Sequence, residues 1–405
     1  MKILFIHQNI PGQFKHLAAR LAQNSDNQVI FITMRKDREI PGVRRISYGL
    51  SREPTKGIHQ YLFRTENAVL YGQAVARILL QLRRENFVPD IIVAHPGWGE
   101  ALYVKDIFPE VPLLNHCEFY YQPRGQDLDF DPSAPPELDA LLRSRTRNSH
   151  LLLSLESCDR GWSPTFWQRS VHPKPFHSKI TVIHEGVDTG TLQPDPGATF
   201  ELPNGEVLTR QDEVVTYVAR NLEPYRGFVP FMRAVPQICE LRPNAKVLIV
   251  GGDEISYGSG PKDAKNWREK MLAEVSVDPS RVFFLGYLPY DRFTRMLQVS
   301  SAHVYLTYPF VLSWSMLEAM SLGCLIIGSK TKPVEEVITH GENGLLVDFF
   351  SSDAIARQVA DVLGDRASYS ELARAGRRTV LRKYDLAHCL KQQMGLIHSM
   401  VRGGA

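Results

Sequence analysis

Short apolar runs rich in β-branched residues recur along the whole chain and alternate with stretches of helical periodicity. Runs that are apolar at every position, rather than at every second one, are typical of parallel strands buried on both faces. In the first half these runs predict strands at Ile3–His7, Val29–Thr33, Ile91–His95, Val111–His116, Leu151–Leu155 and Ile180–His184. In the second half they predict strands at Val214–Ala219, Lys246–Gly251, Val282–Gly286, His303–Thr307, Cys324–Gly328 and Leu345–Asp348.

Amphipathic segments between the apolar runs predict the helices. In Phe14–Ala22, for example, the apolar residues fall on one stripe of a helix. The other predicted helices are Val69–Arg84, Trp267–Val275, Ala354–Leu363 and Asp385–Val401. Strand–helix alternation that occurs twice over predicts an α/β chain with two Rossmann-like, doubly wound domains, whose ligands would bind at the carboxyl ends of the strands.

The length of 405 residues is large for a single core, so two domains are expected. The segment Gln193–Asp212 is rich in Pro, Gly, Asp and Asn and lies between two strand-like runs, which predicts a linker. The predicted division is therefore an N-terminal domain over 1–192, a linker over 193–212, a C-terminal domain over 213–383 and a last helix over 384–405.

Composition excludes several classes of protein. The 47 Lys and Arg nearly balance the 44 Asp and Glu, and a net charge of +3 gives no reason to expect a nucleic-acid partner. The five cysteines are far apart and form no CxxC, which is typical of reduced thiols in a cytoplasmic protein. The N-terminus lacks the features of a signal peptide, and no apolar run is long enough to span a membrane.

The first segment of the chain is nevertheless basic, with ten Lys and Arg against four Asp and Glu in residues 1–60. Lys15, His16 and Arg20 lie on the first predicted helix beside its apolar stripe. Such a face can hold a protein at an anionic membrane surface, and an ordinary solvated face is the alternative.

The second half carries two candidate groups for binding a nucleotide. A helix is expected to begin near Ser313 or Ser315, with Glu318 about one turn inside. A helix N-terminus after a strand favours an anion, and a carboxylate can accept hydrogen bonds from a vicinal diol such as ribose. Arg220 and Arg226 follow another strand and suit a diphosphate, because each guanidinium can bind oxygens bidentately. A surface helix and two solvated arginines are the alternatives.

The first half places polar residues after its predicted strands. Gly12, in the loop from His7 to Gln13, could let backbone approach a phosphate or a sugar. His95 and His116 end consecutive predicted strands and could hydrogen-bond substrate hydroxyls, although capping or packing is the alternative.

Other familiar kinds of site have little support in the sequence. Asp127, Asp129 and Asp131 alternate on an extended segment and could bind a cation, but a solvated loop is favoured. The chain contains no HExxH, GxGxxG, P-loop or GxSxG motif, so no metal site is expected, and a P-loop enzyme or a serine hydrolase is disfavoured.

Several motifs in family order resemble the retaining glycosyltransferases of the GT-B fold, family 4. The motifs that carry the resemblance are the Arg220/Arg226-Gly227 pair, the SMLEAMSLG of Ser315–Gly323, the KPVEEV and GENGLLVD stretches within Lys332–Asp348, the HEGVDT of His184–Thr189 and the RVFFLGYLP of Arg281–Pro289. The resemblance implies two domains that face each other across a cleft, with the last helix crossing back to the first domain. It also implies transfer with retention, no cofactor and no metal.

The resemblance further implies roles for individual residues. Arg220, Arg226 and His116 would act on the reacting groups, with Glu318 on the nucleotide ribose. The donor-binding set would comprise Gly12, Gln13, Leu285, Gly286, Tyr287, Val311, Leu312, Ser313, Trp314, Ser315 and Glu318. The acceptor-side candidates are His7, His95 and Glu118.

One position departs from the family pattern. The family begins its signature with a first Glu that touches the donor sugar, and this chain has Phe310 or, in the other alignment, Tyr308 at that place. Backbone N–H groups, Ser313, Glu118 or Asp127 are possible substitutes.

The expected function is transfer of a hexose from a nucleoside diphosphate sugar to a hydroxyl acceptor in polysaccharide or lipid-linked glycan synthesis. UDP-glucose is the preferred donor and GDP-mannose the second. Two alternatives stay open, a non-catalytic protein that binds nucleotide sugars and a Rossmann-type oxidoreductase, which the missing GxGxxG disfavours.

Overall fold

The computed structural model describes residues 1–403, which form fifteen strands and fourteen α-helices. The strands are β1 (Lys2–Ile6), β2 (Gln28–Thr33), β3 (Arg44–Ser47), β4 (Ile91–Ala94), β5 (Leu113–His116), β6 (Arg160–Ser163), β7 (Ile180–Val182), β8 (Thr199–Glu201), β9 (Val207–Thr209), β10 (Val214–Asn221), β11 (Lys246–Gly252), β12 (Val282–Gly286), β13 (Ala302–Tyr305), β14 (Ile326–Ser329) and β15 (Leu345–Val347). The helices are α1 (Lys15–Ala22), α2 (Phe63–Arg84), α3 (Val104–Ile107), α4 (Leu138–Arg147), α5 (Ser149–Ser157), α6 (Phe166–Ser170), α7 (Phe228–Leu241), α8 (Trp267–Glu274), α9 (Tyr290–Val299), α10 (Trp314–Ser321), α11 (Lys332–Glu335), α12 (Ser352–Gly364), α13 (Arg366–Lys383) and α14 (Leu386–Gly403).

The chain folds into two compact units, each built on a parallel sheet. Unit 1 comprises Met1–Gly186 and the chain from Leu386 onwards, and unit 2 comprises Val187–Asp385. The sheet of unit 1 has the order β3-β2-β1-β4-β5-β6-β7, and that of unit 2 has the order β12-β11-β10-β13-β14-β15. In both sheets the order reverses beside the first strand, between β1 and β4 and between β10 and β13, which is where α/β sheets bind ligands. The prediction of two Rossmann-like domains is confirmed.

Strand β1 shows why the sheet of unit 1 is apolar on both faces. Leu4 and Ile6 pack on one side with residues of α2, whereas Ile3 and Phe5 pack on the other side with α1. Successive side chains of a strand point to opposite faces, so a strand covered by helices on both faces is apolar throughout. Helix α14 joins the second of these layers, where Ile397 and Met400 are buried.

One large apolar core of unit 2 contains helix α10. Met316, Leu317 and Met320 of α10 are fully buried in it. The same core contains Phe200 and Leu208 from the antiparallel hairpin of β8 and β9. The structure therefore differs from the predicted linker over 193–212, because apolar residues of this segment join the core of unit 2. Unit 2 also begins at Val187, before the predicted end of the first domain at residue 192.

The predicted strand Leu151–Leu155 is wrong, because these residues lie in the helix α5. Leu151 and Leu155 are buried, and Leu152 and Leu153 are exposed, which is the spacing of one helical face. A short apolar run does not by itself distinguish a buried strand from a helix. The strand that follows β5 in the sheet is instead β6, whose sequence RGWS carries little apolar signal.

Candidate functional site

In unit 1, three histidines just beyond strand ends share one local geometry. The backbone N–H two residues further on donates to the Nδ1 atom of His7 at 2.8 Å, of His95 at 3.1 Å and of His184 at 3.0 Å. An Nδ1 atom that accepts a hydrogen bond carries no proton, so a neutral ring holds its proton on Nε2. The loops that follow β1, β4 and β7 therefore fix the tautomer of each ring.

His7 and His95 direct these Nε2 protons into one side-chain network. His7 Nε2 lies 2.6 Å from Oε1 of Gln13, and Gln13 Nε2 donates to Oε1 of Glu118 at 2.7 Å. His95 Nε2 lies 3.3 Å from the other oxygen of Glu118. The structure thus brings together four predicted site residues from three separate segments of the chain.

Glu118 is the partly exposed carboxylate of this network. Its side chain is 31% exposed, whereas that of His95 is only 2% exposed. Burial alone would raise the pKa of Glu118, but the hydrogen bond from His95 outweighs it and lowers the pKa to about 2. Burial also lowers the pKa of His7 well below its usual value. Glu118 is therefore a carboxylate held ready to accept a hydrogen bond.

His116 lies behind this network and is fully buried. Its Nε2 atom is 2.9 Å from Oε1 of Glu185, and its ring stacks on His95 with centroids 5.4 Å apart. Burial would raise the pKa of Glu185, but His116 and His184 lower it overall. Among residues 1–403, no hydrogen-bond partner reaches Nδ1 of His116. The predicted role of His116 at the reacting sugar stays a prediction, and the structure places its ring inside unit 1.

Two glycines make room for the histidine rings. A Cβ atom at Gly12 would lie 2.5 Å from Nε2 of His7, and one at Gly97 would lie 2.5 Å from the ring of His95. Real Cβ atoms do not approach that closely, so any side chain at Gly12 or Gly97 would displace a ring. Gly12 also has a φ of +50°, which favours glycine. Packing against His7 accounts for this glycine, and its predicted approach to a ligand stays a prediction.

The alternating carboxylates of the first half shape a turn. Asp129 accepts a hydrogen bond from the backbone of Gly125 at 2.8 Å, and Asp131 accepts one from Ser133 at 2.9 Å. Asp127 is 9% exposed. In the part of the chain that the structure describes, no group of three or more His, Cys, Asp and Glu residues is arranged to hold a metal ion.

In unit 2, Arg226 joins the loop after β10 to the loop before α10. It is 7% exposed, and its Nη1 donates to Oγ1 of Thr307 at 2.8 Å and to the carbonyl of Val311 at 2.9 Å. Burial disfavours the charged form, but the neighbouring tyrosines, with Tyr305 the largest contributor, raise the pKa of Arg226 overall. A fixed positive charge therefore stands at the entry to α10. Arg220, at the end of β10, is exposed.

Helix α10 begins where the sequence predicts. Ser313 is its N-cap, and its side chain accepts a hydrogen bond from the backbone of Ser315. The carboxylate of Glu318 accepts a hydrogen bond from the hydroxyl of Tyr290 at 2.9 Å. Since Tyr290 opens α9, this contact joins α10 to the segment that follows β12. Of the other predicted donor-binding residues here, Leu312 is buried and Trp314 is 42% exposed.

Asn221 joins the segment after β12 to the loop after β11. Its Oδ1 accepts from the hydroxyl of Tyr287 at 2.7 Å, and its Nδ2 donates to Oγ of Ser256 at 2.7 Å. Tyr287 is 63% exposed, and Leu285 and Gly286 beside it are half-buried. Together with Arg226 and Tyr290, Asn221 links the loops at the carboxyl ends of four neighbouring strands. This arrangement can bind a ligand that has an anionic group at one end and a diol further along.

The position of the missing carboxylate is aromatic. Tyr308 and Phe310 are 6% and 7% exposed. Tyr308 stacks on Tyr225 with centroids 4.8 Å apart, and Phe310 packs edge-on against Tyr257 at 5.1 Å. Neither alignment of the family signature therefore places an acidic side chain at this point of unit 2.

Sequence reasoning missed several residues of both clusters. Glu185 was noted only as part of a motif, and Asn221, Glu223, Tyr257 and Tyr290 were not singled out. The acidic residue of the ARNLEPYRG segment was a usable signal, because it directly precedes Pro-Tyr-Arg beside a predicted diphosphate site. Nothing in the sequence indicated that Tyr257 would reach Arg226.

Two family models match the chain. The model described as "Glycosyl transferase family 4 group" matches residues 25–192, and the one described as "Glycosyl transferases group 1" matches residues 201–379. A D-inositol 3-phosphate glycosyltransferase from Corynebacterium efficiens is 26% identical over 46% of this chain and 43% of its own length. A GDP-mannose-dependent phosphatidylinositol monomannoside mannosyltransferase from Mycobacterium tuberculosis is 26% identical over 50% of this chain and 51% of its own length. The chain thus spans about half the length of these curated relatives.

Solved structures share the fold along nearly the whole chain. HepE of Anabaena, in complex with UDP-glucose, has a TM-score of 0.67 at 16% identity and covers 98% of this chain and 100% of its own. The likeness shows a common GT-B architecture. With both halves matched by family models and the fold shared throughout, the chain belongs to the family 4 glycosyltransferases of the GT-B fold.

Proposed function

We propose that the chain transfers a hexose from a nucleoside diphosphate sugar to a hydroxyl acceptor, with retention at the anomeric carbon and without a metal ion. The observation that carries the proposal is the linked set of loops in unit 2. Arg226 is fixed at the entry to α10 by its bond to Val311, and Glu318 stands one turn inside the same helix. A buried cation at the entry to a helix and a carboxylate on that helix suit the diphosphate and the ribose of one nucleotide.

The chemistry assigned to unit 2 is stabilisation of the leaving group. The bond between the anomeric carbon and the diphosphate oxygen breaks, and a bond from the acceptor oxygen to that carbon forms. Arg226, Arg220 and the N–H groups at the start of α10 would balance the charge that builds on the diphosphate. The acceptor proton passes to the departing phosphate oxygen on the same face of the sugar.

Unit 1 would serve the acceptor. Glu118 is an ionised carboxylate that the ring of His95 and the amide of Gln13 hold in one orientation. A carboxylate of this kind accepts a hydrogen bond from a sugar or lipid-linked hydroxyl and orients the attacking oxygen. His7 and His95 would act through Glu118, since both rings are almost fully buried.

The relatives support two donors. HepE was solved with UDP-glucose, and the mycobacterial relative is named for its use of GDP-mannose. We retain UDP-glucose as the first donor and GDP-mannose as the second. The phosphatidylinositol-linked substrate in the name of the latter relative supports a lipid-linked glycan as acceptor, with polysaccharide synthesis as the second setting.

Thermal shift against UDP-, GDP- and ADP-sugars tests the donor directly. A ligand that binds only the native state at 100 times its Kd adds about 2.7 kcal/mol to the free energy of unfolding. Release of free sugar or of a glycoside then separates transfer from simple binding. Nucleotide binding without any turnover would favour a non-catalytic sugar-nucleotide protein, and activity lost in EDTA would contradict metal independence.

We also propose that unit 1 contacts an anionic membrane surface. No helix among residues 1–403 is long and apolar enough to cross a membrane. The stripe of α1 beside Lys15, His16 and Arg20 is not available for lipid, because Leu17 and Leu21 are buried in the core.

A better apolar surface is formed by α4 and the start of α2. Leu62, Phe63, Leu138 and Leu142 are 45%, 46%, 70% and 46% exposed. The two segments are tied together by Tyr61, whose hydroxyl donates to Asp139 at 2.5 Å. The exposed Arg64, Arg143 and Arg145 flank these apolar side chains, and each basic residue near an anionic surface contributes about 1 kcal/mol.

Vesicle flotation tests this surface. We expect the protein to float with vesicles of phosphatidylglycerol and phosphatidylcholine and not with pure phosphatidylcholine. The double change Leu138→Asp and Leu142→Asp should abolish flotation. Leu241→Asp is the control, since Leu241 is 45% exposed on unit 2. Unchanged flotation of the double variant would exclude this surface.

A further inference from the structure

The loop after β11 is held in place by a buried carboxylate. Glu223 is fully buried, and its Oε2 accepts hydrogen bonds from the backbone N–H groups of Ser256 at 3.3 Å, Tyr257 at 3.1 Å and Gly258 at 3.2 Å. Asn221 adds a fourth bond at 2.7 Å to the side chain of Ser256. A charged acceptor that meets several N–H groups makes stronger hydrogen bonds than a neutral one. Glu223 therefore fixes the backbone of this loop at one point.

The fixed loop sets Tyr257 against two residues of the proposed donor site. The guanidinium of Arg226 lies over the Tyr257 ring, 5.1 Å from its centroid. The other neighbour is Phe310, whose ring centroid is also 5.1 Å away. Phe310 stands eight residues before Glu318, where the family signature carries the carboxylate that touches the donor sugar. Tyr257 thus lies beside both the proposed diphosphate group and the place of the missing acidic side chain.

Tyr257 is also an accessible ring of its aromatic cluster. It is 37% exposed, whereas Tyr308, Phe310 and Phe349 are between 3% and 7% exposed. Tyrosine combines an apolar ring with a polar tip, so an exposed one can cover the C–H face of a pyranose. Glu223 cannot replace the lost carboxylate at a sugar, because it is fully buried and bound to the loop.

We propose that Tyr257 is the donor-sugar recognition residue of this chain and that Glu223 is its positioning residue. The inference rests on the proposed function, since it assigns the sugar end of the same nucleotide-sugar site. The ring replaces a hydrogen-bonding carboxylate by a stacking surface. It receives the sugar next to the diphosphate that Arg226 would bind.

A stacking ring in place of a carboxylate should reduce the selectivity for individual hydroxyls of the donor sugar. A site built to hydrogen-bond a substrate hydroxyl strongly rejects an analogue that lacks it, because buried polar groups are left unpaired. A stacking ring leaves no such group unpaired. We therefore expect donors that differ at one ring hydroxyl, such as UDP-glucose and UDP-galactose, to bind within about ten-fold of each other.

The test measures how much the sugar adds to nucleotide affinity. Titration calorimetry gives the Kd of UDP and of UDP-glucose, and likewise of GDP and GDP-mannose, and the ratio within each pair is the sugar increment. In Tyr257→Ala we expect the increment to fall about five-fold, the size of a partly exposed aromatic contact, while the Kd of the bare diphosphate changes less. Tyr257→Phe should keep the increment, because the ring remains. Leu381→Ala, at 42% exposure on the same unit and outside the aromatic cluster, is the matched control.

Two variants of Glu223 test its role in positioning Tyr257. Glu223→Ala should lower the sugar increment as Tyr257→Ala does, and Glu223→Gln should restore it in part, since an amide oxygen still accepts N–H bonds. Should Glu223→Ala fail to fold, Tyr257→Ala and Tyr257→Phe still decide the main inference. An unchanged increment in Tyr257→Ala, or an equal loss in Tyr257→Phe, overturns it. Wild-type protein that binds neither UDP nor GDP would instead overturn the proposed function.

Discussion

The two units use one sheet topology to present different chemistry. In unit 1 the strand ends carry buried histidines whose protons are fixed by backbone N–H groups and which end on one carboxylate, Glu118. In unit 2 the strand ends carry Arg226 and a group of aromatic rings. Both sheets reverse their order at the same relative strand. The fold thus supplies the place, and the residues after each strand decide whether it suits hydroxyl groups or a diphosphate.

The difference between the two units should have its largest effect on their stability at acidic pH. Buried histidines stay neutral in the folded state but take up a proton near pH 6.5 when unfolded, so stability falls as the pH drops below that value. Burial lowers the pKa of four histidines of unit 1, which are His7, His150, His172 (to about 4) and His184. In unit 2 burial lowers the pKa of His303 to about 3.

The pKa shift of Glu100 has the opposite effect on the stability of unit 1 as the pH falls. Burial raises its pKa to about 7, so the folded state gains a proton while the unfolded state does not, and this gain stabilises unit 1 between pH 7 and 4.5. The unfolded state takes up a proton on each of the four histidines and the folded state takes up one on Glu100, so the unfolded state of unit 1 binds up to three more protons than the folded state. Between pH 6.5 and 5, unit 1 should therefore lose up to about 4 kcal/mol per pH unit and unit 2 about 1.4 kcal/mol.

Hydrogen exchange can follow the two units separately. Amides of β1 and β4 should lose protection between pH 7 and 5.5, after correction for intrinsic rates, more than those of β10 and β13. His172→Gln should reduce the loss in unit 1, since it removes one titrating ring. Equal losses in both units would show that the histidine network is not the difference between them.

The second prediction concerns the cation of unit 2. Arg226→Ala should lower the transfer rate about a hundred-fold, as does removal of a group that stabilises charge in a transition state. Arg226→Lys keeps the charge and should recover part of the rate. Arg220→Ala should act on the rate in the same direction and leave the Tm unchanged, because Arg220 is exposed. Near-normal turnover in both alanine variants would contradict the assignment of the diphosphate site to unit 2.

The sequence predicted the sheets better than the site. Strands such as β1 and β10 are buried on both faces, so their continuous apolar runs are visible in the sequence. The start of α10 was located because a serine at 313 or 315 can cap a helix that follows a strand, and Ser313 is the N-cap. The strand prediction for Leu151–Leu155 was wrong because an apolar run this short does not distinguish the period of a strand from that of a helix.

Contacts between distant segments lay beyond sequence reasoning. That Glu223 fixes the backbone of residues 256–258, and that Tyr257 then lies over Arg226, depends on how two loops pack. The burial of individual side chains could not be predicted from the sequence either. His116 was predicted correctly at the end of β5, but its ring lies against Glu185, which is 69 residues away in sequence.

A third prediction addresses the ribose. Glu318→Ala should weaken binding of UDP and GDP at least ten-fold, since each hydrogen bond to a charged group contributes about 1.5–3 kcal/mol. The same change should have little effect on binding of inorganic diphosphate, which has no ribose. Calorimetry with both ligands separates the two effects. An equal loss for diphosphate would mean that Glu318 acts on the helix rather than on the nucleoside.

The smallest expected effect concerns Tyr290, which donates to Glu318 at 2.9 Å. A carboxylate offers about four acceptor positions, so Tyr290 can keep its bond while a ribose diol occupies others, and the bond then holds the carboxylate in one orientation. Tyr290→Phe removes this one hydrogen bond and should weaken UDP binding about three-fold. The preference for UDP over 2′-deoxy-UDP should shrink as well, because a freely rotating carboxylate selects the diol less well. Tighter binding of UDP by Tyr290→Phe would show instead that Tyr290 competes with the ribose for Glu318. In unit 2 the hydroxyl of Tyr290 would then occupy the ribose position on Glu318 when no nucleotide is bound. In unit 1 the hydrogen bonds to Glu118 would still orient its carboxylate.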